Sequence, residues 1–209
     1  MGRVVRARQS VSAVAITPLW VACEASRTSV FKRNRTLWMP TEDVFLEYKY
    51  LKDRIDQGHC AVLEHINISF KMVTSRAIAN ELTRHRHASF VQESTRYVAY
   101  NDTLHIIDGA SRERTMATAE RCFANYLDAL ASGCAPEDAR DLLPLCTATH
   151  LFATANLREW RLIYKLRTSR HAHPVISDLM GLLIESMTKK ATPDWTHAAE
   201  LIAHPSDNL

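Results

Sequence analysis

Residues Arg84 to Tyr97 concentrate groups that do chemistry: Arg84, His85, Arg86, His87, Ser89, Gln92, Glu93, Ser94 and Arg96, interleaved with Ala88, Phe90, Val91 and Tyr97. A guanidinium grips phosphate or carboxylate through two parallel N–H donors, which suits arginine to planar anions. Ser94 and Arg96 are two apart, so in an extended segment they project from one face and offer a hydroxyl and a fork to one anion. On residue types alone the stretch fits either such a grip or a basic surface loop that touches nucleic acid.

Other groups read more plainly. After Gly58, the run His59-Cys60-Ala61-Val62-Leu63-Glu64-His65 holds two histidines and a carboxylate. The histidine spacing suits neither a helix face nor a strand face for a metal, and alone the run reads as a loop with incidental histidines. Arg140 follows Glu137 in a short helix and reads as a surface ion-pair partner. Arg167 continues an apolar helix face made by Trp160, Ile163 and Tyr164, where an arginine usually snorkels. The five cysteines are scattered, with no Cys-x-x-Cys pair, which argues against a disulfide framework or a zinc site. Cys146 has no adjacent His or Arg to lower its pKa and reads as core. Five glycines and no Gly-x-Gly-x-x-Gly argue against a Rossmann dinucleotide site.

The elements that must position these groups follow from periodicity and punctuation. Residues 3–16 alternate as an edge strand, Pro18 breaks it, and Leu19–Ser26 starts a short helix. Thr28–Met39 reads as a loop, a lid or a partner surface. Thr41, with Glu42 and Asp43, caps a helix that Gly58 stops. Residues 65–73 alternate as a half-buried strand. Thr74 or Ser75 then caps a helix to about His85, with Arg76, Asn80 and Arg84 on one stripe and Glu81 beside Arg84 and His85. A loop leads to an extended stretch over 94–107. Ser111 caps a long helix that Gly133 ends, and Pro136 opens a short one that stops at Pro144. A strand over 146–156, a helix over 156–170, a helix over 175–189 and a tail helix after Pro193 complete the chain. Helices and strands mix without regular βαβ alternation, which predicts an α+β class. The 209 residues, 46% apolar and 23% charged with a formal net charge of +3, fit one globular domain over 1–209. No run is long enough to span a membrane and no secretory pattern opens the chain, so the expected location is cytoplasmic.

Arg84-His85-Arg86, Ser89, Ser94 and Arg96 reproduce the pattern Arg-His-Arg-x-x-Ser-x-x-x-x-Ser-x-Arg, and on it the chain resembles the flavin-dependent thymidylate synthases. The resemblance runs over about 58–176. It implies an α+β fold of mixed helices around an antiparallel-rich sheet, assembled as a homotetramer whose active sites lie where subunits meet. It also implies reductive C5-methylation of a uridine monophosphate nucleotide, dUMP or UMP. Methylenetetrahydrofolate would give the carbon, with FAD and NADPH supplying the hydride. The segment from Gly58 to His65, with His59 and Glu64, matches one that lies against the flavin. Glu137, Ala139, Arg140, Leu143 and Pro144 match a segment whose arginine reaches the uracil ring. Asn156 and Arg158 match a flavin-contacting Asn-x-Arg, and Leu166-Arg167 matches a pair that meets the nucleotide. Arg140 and Arg167 are thereby implied in catalysis and in nucleotide binding, the latter together with Glu81, Arg84, Gln92, Ser94, Thr95 and Arg96. The implied flavin set is Ser26, His59, Glu64, Arg84, His85, Arg86, Gln92, Asn156, Arg158 and Leu162. No metal, nucleic acid or membrane partner is implied.

The chain departs from that pattern at Asn80-Glu81, Val91-Gln92, Leu162, Val175-Ile176-Ser177 and Cys23-Glu24-Ala25-Ser26. These departures fit drift in a working thymidylate synthase, or the same reaction carried out on UMP in a pathway of modified nucleosides. A non-catalytic nucleotide- or RNA-binding relative is the alternative from another class, and intact Arg140, Asn156, Arg158 and Arg167 count against it. Glu81 bears on the substrate: a carboxylate only accepts hydrogen bonds, so a ribose hydroxyl is a partner that deoxyribose cannot supply.

Overall fold

The computed structural model describes residues 2–28, 44–109 and 112–204. Their elements, in chain order, are β1 (Arg3–Arg6), β2 (Ser10–Ile16), α1 (Trp20–Thr28), α2 (Val44–Asp56), a 3-10 turn (Cys60–His65), β3 (Asn67–Ser75), α3 (Arg76–Leu82), β4 (Ala88–Gln92), β5 (Thr103–Ile106), α4 (Arg112–Ala131), α5 (Pro136–Ala139), a 3-10 turn (Arg140–Leu142), β6 (Ala148–Asn156), α6 (Leu157–Arg167), α7 (Pro174–Thr188) and α8 (Pro193–Ala203). Strands β2, β3, β6 and β4 form, in that order, an antiparallel sheet in a mixed α+β fold. The predicted strand over 3–16 is two strands, and β1 pairs with β5 in parallel, Arg3 opposite Thr103 and Arg6 opposite Ile106. The expected loop over 28–39 and the caps Thr41 and Ser111 fall at or beyond the edges of the described residues.

The chain divides into two compact units. The first comprises Met1–Ser10, Lys71–His85 and Phe90–Phe152. Its core sets Phe123, Tyr126 and Ala119 of α4 against Leu104 and Ile106 of β5, with Val4 of β1 packed alongside. Ser75 is the cap of α3, its Oγ accepting from the Ile78 N–H at 3.3 Å, while Thr74 donates to Gln9 Oε1 at 2.7 Å.

The second unit comprises Val11–Phe70, Arg86–Ser89 and Ala153–Leu209. The alternation read over 65–73 holds, with Ile68 and Phe70 fully buried. At the other strand, β6 runs into α6 without a loop. Asn156 caps the helix by accepting from the Glu159 N–H at 2.8 Å. Trp160, 1% exposed, donates its indole N–H to the Ile68 carbonyl at 3.0 Å and meets Phe70 edge to face at 4.9 Å. Helices α7 and α8, each with proline in the first turn, bury Leu179, Leu183, Trp195 and Leu201.

Gly58 and Gly133 end α2 and α4 with φ of 80° and 85°. Around Gly58, His59 N–H bonds to Arg54 O at 2.8 Å and Gly58 N–H to Ile55 O at 2.9 Å. Around Gly133, Cys134 N–H bonds to Ala129 O and Gly133 N–H to Leu130 O, both at 3.0 Å. Both are Schellman ends. A Cβ at either glycine would meet nothing within 4 Å, so the left-handed backbone alone sets the cost of a side chain. Gly133→Ala is therefore expected to lower stability by about 1–2 kcal/mol, read as a lower urea midpoint at unchanged slope. An unaltered midpoint would contradict this.

Candidate functional site

The stretch from Arg84 is organised differently from its sequence-based expectation. Helix α3 ends at Leu82, and His85, 7% exposed, turns inward with its N–H on Leu82 O at 3.0 Å. Arg84 is exposed and Glu81 is half-buried. The expected loop over 88–92 is strand β4. Gln92 leans on Thr149, Nε2 to Oγ1 at 3.4 Å.

Ser94 to Val98 is a tight turn, which corrects the extended segment expected there. Ser94 O accepts from the N–H groups of Tyr97 at 3.3 Å and Val98 at 3.0 Å. Ser94 Oγ accepts from the Arg96 N–H at 3.3 Å. The physical reason is local: a serine hydroxyl that reaches its own backbone two residues on competes with extended pairing. Ser94 and Arg96 stay together, now through a turn. Arg96 Nε donates to Glu137 Oε2 at 2.6 Å, so Glu137 pairs with Arg96 where pairing with Arg140 was expected. Arg140 is exposed at the start of its 3-10 turn. Thr95 is 6% exposed and faces Arg76, Nη2 to Oγ1 at 3.5 Å.

The second unit holds a cavity of about 460 Å³ lined by Glu64, His87, Asn156, Arg158, Glu159 and Leu162. Four of these were singled out by sequence. The capped N-terminus of α6 supplies Asn156, Arg158, Glu159 and Leu162, and the 3-10 turn supplies Glu64. Arg158 Nη1 donates to Glu64 Oε1 at 2.6 Å. Glu159 escaped sequence reading, and His87 entered it only as one group of the Arg84–Tyr97 stretch. The signal for Glu159 was its place three residues after a capping Asn, which sets it on the same first turn. His87 was visible only as one more basic residue. The buried Glu159 carboxyl and the exposed His87 ring add an acceptor and a ring nitrogen to the wall.

Ser26 is not among the residues lining this cavity; its Oγ shares a hydrogen bond with Tyr50 OH at 2.8 Å. His59 is exposed before the 3-10 turn, Arg86 is exposed, and Arg167 is half-buried in the last turn of α6. Burial pushes the Cys146 thiol above its ordinary pKa, the wrong direction for a nucleophile at neutral pH. Among the described residues no cluster of His, Cys, Asp and Glu could hold a metal ion, and no helix is long and apolar enough to cross a membrane.

The fold is that of solved α+β proteins. A UMP/dUMP methylase, PolB, from Streptomyces cacaoi bound with 5-Br dUMP superposes with a TM-score of 0.76 at 23% identity, over 95% of this chain and 96% of that one. The flavin-dependent thymidylate synthase ThyX from Helicobacter pylori, complexed with FAD and dUMP, gives a TM-score of 0.69 at 22% identity, over 85% and 93%. The model of the family described as "Thymidylate synthase complementing protein" matches residues 7–193, and the chain belongs to this family. A flavin-dependent thymidylate synthase of Mycobacterium avium (strain 104) is 35% identical over 164 residues, 68% of this chain. The chain spans 64% of that relative's length, and 59% of its counterpart's in Mycobacterium sp. (strain KMS), to which it is 35% identical over 149 residues.

Arg158 and Glu64 are 43% and 49% exposed, Arg96 and Glu137 56% and 45%. Exposed pairs of this kind contribute roughly 0.2–1 kcal/mol. Arg96→Ala and Arg158→Ala should each change the unfolding free energy by less than about 1 kcal/mol in denaturant titrations. A loss several times larger would make these arginines parts of the fold.

Proposed function

We propose that the chain catalyses reductive C5-methylation of a uridine monophosphate nucleotide. The observation that carries this reading is the Ser94–Arg96 turn. It sets a hydroxyl, bonded to the Arg96 backbone N–H at 3.3 Å, two residues from an exposed guanidinium that is already held 2.6 Å from a carboxylate, Glu137. A phosphate dianion offers that guanidinium more charge and more acceptor oxygens than Glu137 does, so exchange favours the phosphate. Arg84 and Arg140 add cationic donors for the phosphate and the uracil carbonyls, and Gln92 adds an amide.

FAD suits the cavity of the second unit. Its walls combine a guanidinium, an amide, two carboxylates, an imidazole and the apolar Leu162, a set that can meet an anionic chain, ring N–H groups and an aromatic face together. Its volume admits part of a flavin nucleotide, and His59, Arg86 and Ser26 are assigned to the remainder. When bound, reduced FAD supplies the hydride, NADPH reduces it, and methylenetetrahydrofolate brings the carbon. The chain's own part is to neutralise the anions, orient the uracil ring and keep it beside its co-substrate. No cysteine thiolate is required, in keeping with the raised pKa of Cys146. We further assign the chain to a homotetramer and, through Glu81, to turnover of UMP alongside dUMP in a pathway of modified nucleosides. The Streptomyces neighbour's description as a UMP/dUMP methylase supports that breadth.

Purified protein reconstituted with FAD binds it stoichiometrically, and Cys146→Ser keeps substantial activity. A well-folded serine variant that binds flavin yet turns nothing over would reopen a covalent route. For the substrate, Glu81→Gln shifts kcat/KM toward dUMP. An acceptor left unmet by deoxyribose costs about 1–3 kcal/mol, a preference of roughly five- to 150-fold. Equal ratios in wild type and variant would remove Glu81 from the sugar.

A further inference from the structure

A polar network lies directly beneath the Ser94–Arg96 turn, entirely within the first unit. Tyr100 OH donates to Glu93 Oε1 at 2.6 Å, the length of a strong, charge-assisted O–H bond to a carboxylate. The same carboxylate accepts from the His150 N–H through Oε2 at 3.4 Å. The Glu93 carbonyl accepts from Arg76 at 3.3 and 3.5 Å. Arg76 also reaches the Thr95 and Thr149 hydroxyls at 3.5 and 3.4 Å. Tyr100 is anchored in turn, its N–H donating to Tyr126 OH on α4 at 3.1 Å.

The consequence is topological. Glu93 is the last residue tied to β6, through its N–H on His150 O at 2.9 Å, and Tyr100 stands seven residues further on. The Tyr100–Glu93 bond therefore closes the segment that carries Ser94, Arg96 and Tyr97, and Arg76 holds that segment from inside through Thr95. Arg96 and Tyr97 remain exposed on the outside of the closed loop. Burial and the Glu93 carboxylate raise the Tyr100 phenol above its ordinary pKa, so it stays a donor throughout the physiological range.

We propose that Tyr100, Glu93 and Arg76 are positioning residues that close the Ser94–Arg96 turn into its anion-holding shape and thereby set its affinity for a nucleotide monophosphate. The affinity part rests on the nucleotide reading above; the closure does not.

Tyr100→Phe removes one oxygen and keeps the ring in its packing. Hydrogen exchange of the ligand-free full chain, followed by mass spectrometry, should show amides over 93–100 exchanging roughly tenfold faster, with α7 unchanged. In flavin-loaded protein the KM for dUMP or UMP should rise roughly tenfold, the scale of one charge-assisted bond, with kcat within about twofold. Glu93→Gln should act in the same direction, and the double variant should lose less than the sum of the two single variants, because both act on the Tyr100–Glu93 bond. Unchanged exchange over 93–100 overturns the closure, and so does faster exchange spread evenly over the chain, which marks a structural role only. Faster local exchange with an unchanged KM overturns the link to affinity. Faster local exchange in a protein whose wild type binds neither nucleotide supports the closure and overturns the nucleotide reading instead.

Discussion

At Asn156 and Leu157 strand β6 becomes helix α6 within one peptide unit, and the geometry of the second unit's cavity depends on that junction. Leu157 N–H bonds to Ile66 O at 2.7 Å. Asn156 Oδ1 satisfies the Glu159 N–H, and one turn on the Trp160 indole is tied to Ile68. Three hydrogen bonds over five residues leave the first turn of α6 no freedom to rotate. Arg158, Glu159 and Leu162 are thus fixed in direction by the strand and not by a flexible loop. The N-terminus of a helix carries partial positive charge, which complements the two carboxylates of the cavity wall.

The same economy governs the arginines. Arg96 and Arg158 are each oriented by one exposed carboxylate, Glu137 and Glu64. Such pairs hold a long side chain in place at little energetic depth, so a ligand with a higher charge displaces the carboxylate at little cost. A deeply buried pair would do the opposite, because stripping one partner from a desolvated charge is expensive. Weak, exposed pairing therefore suits a binding group. By contrast, the Arg76, Glu93 and Tyr100 network is partly buried and cross-linked, which suits support.

Much of this was readable in the chain. Gly58 and Gly133 mark helix ends because their backbone conformations disfavour a side chain. Residues 66 to 72 alternate because one face of β3 is core. The reactive residue types around Arg84 to Arg96, and Asn156 with Arg158, stood out by composition and by family pattern. Their backbone did not. A strand at 88–92 and a turn at 94–98 replace a loop and an extended run, because a cross-chain ladder and a serine hydroxyl bond decide between conformations of similar local propensity. The parallel pairing of β1 with β5 joins segments about a hundred residues apart, and nothing local encodes it. Thr95 and His85 were read as ligand contacts, and their inward direction is a property of the packed turn.

The central claim is that this chain transfers a one-carbon unit to C5 of a uridine nucleotide by a flavin-dependent route. The most direct measurement is mass spectrometry of dUMP and UMP recovered from separate incubations with the protein, FAD, NADPH and methylenetetrahydrofolate carrying an isotopic label on its methylene carbon. The account predicts a nucleotide that has gained one labelled methyl group at C5, formed only when FAD and reductant are both present. Recovery of both nucleotides unchanged by protein that is folded and flavin-loaded would contradict it.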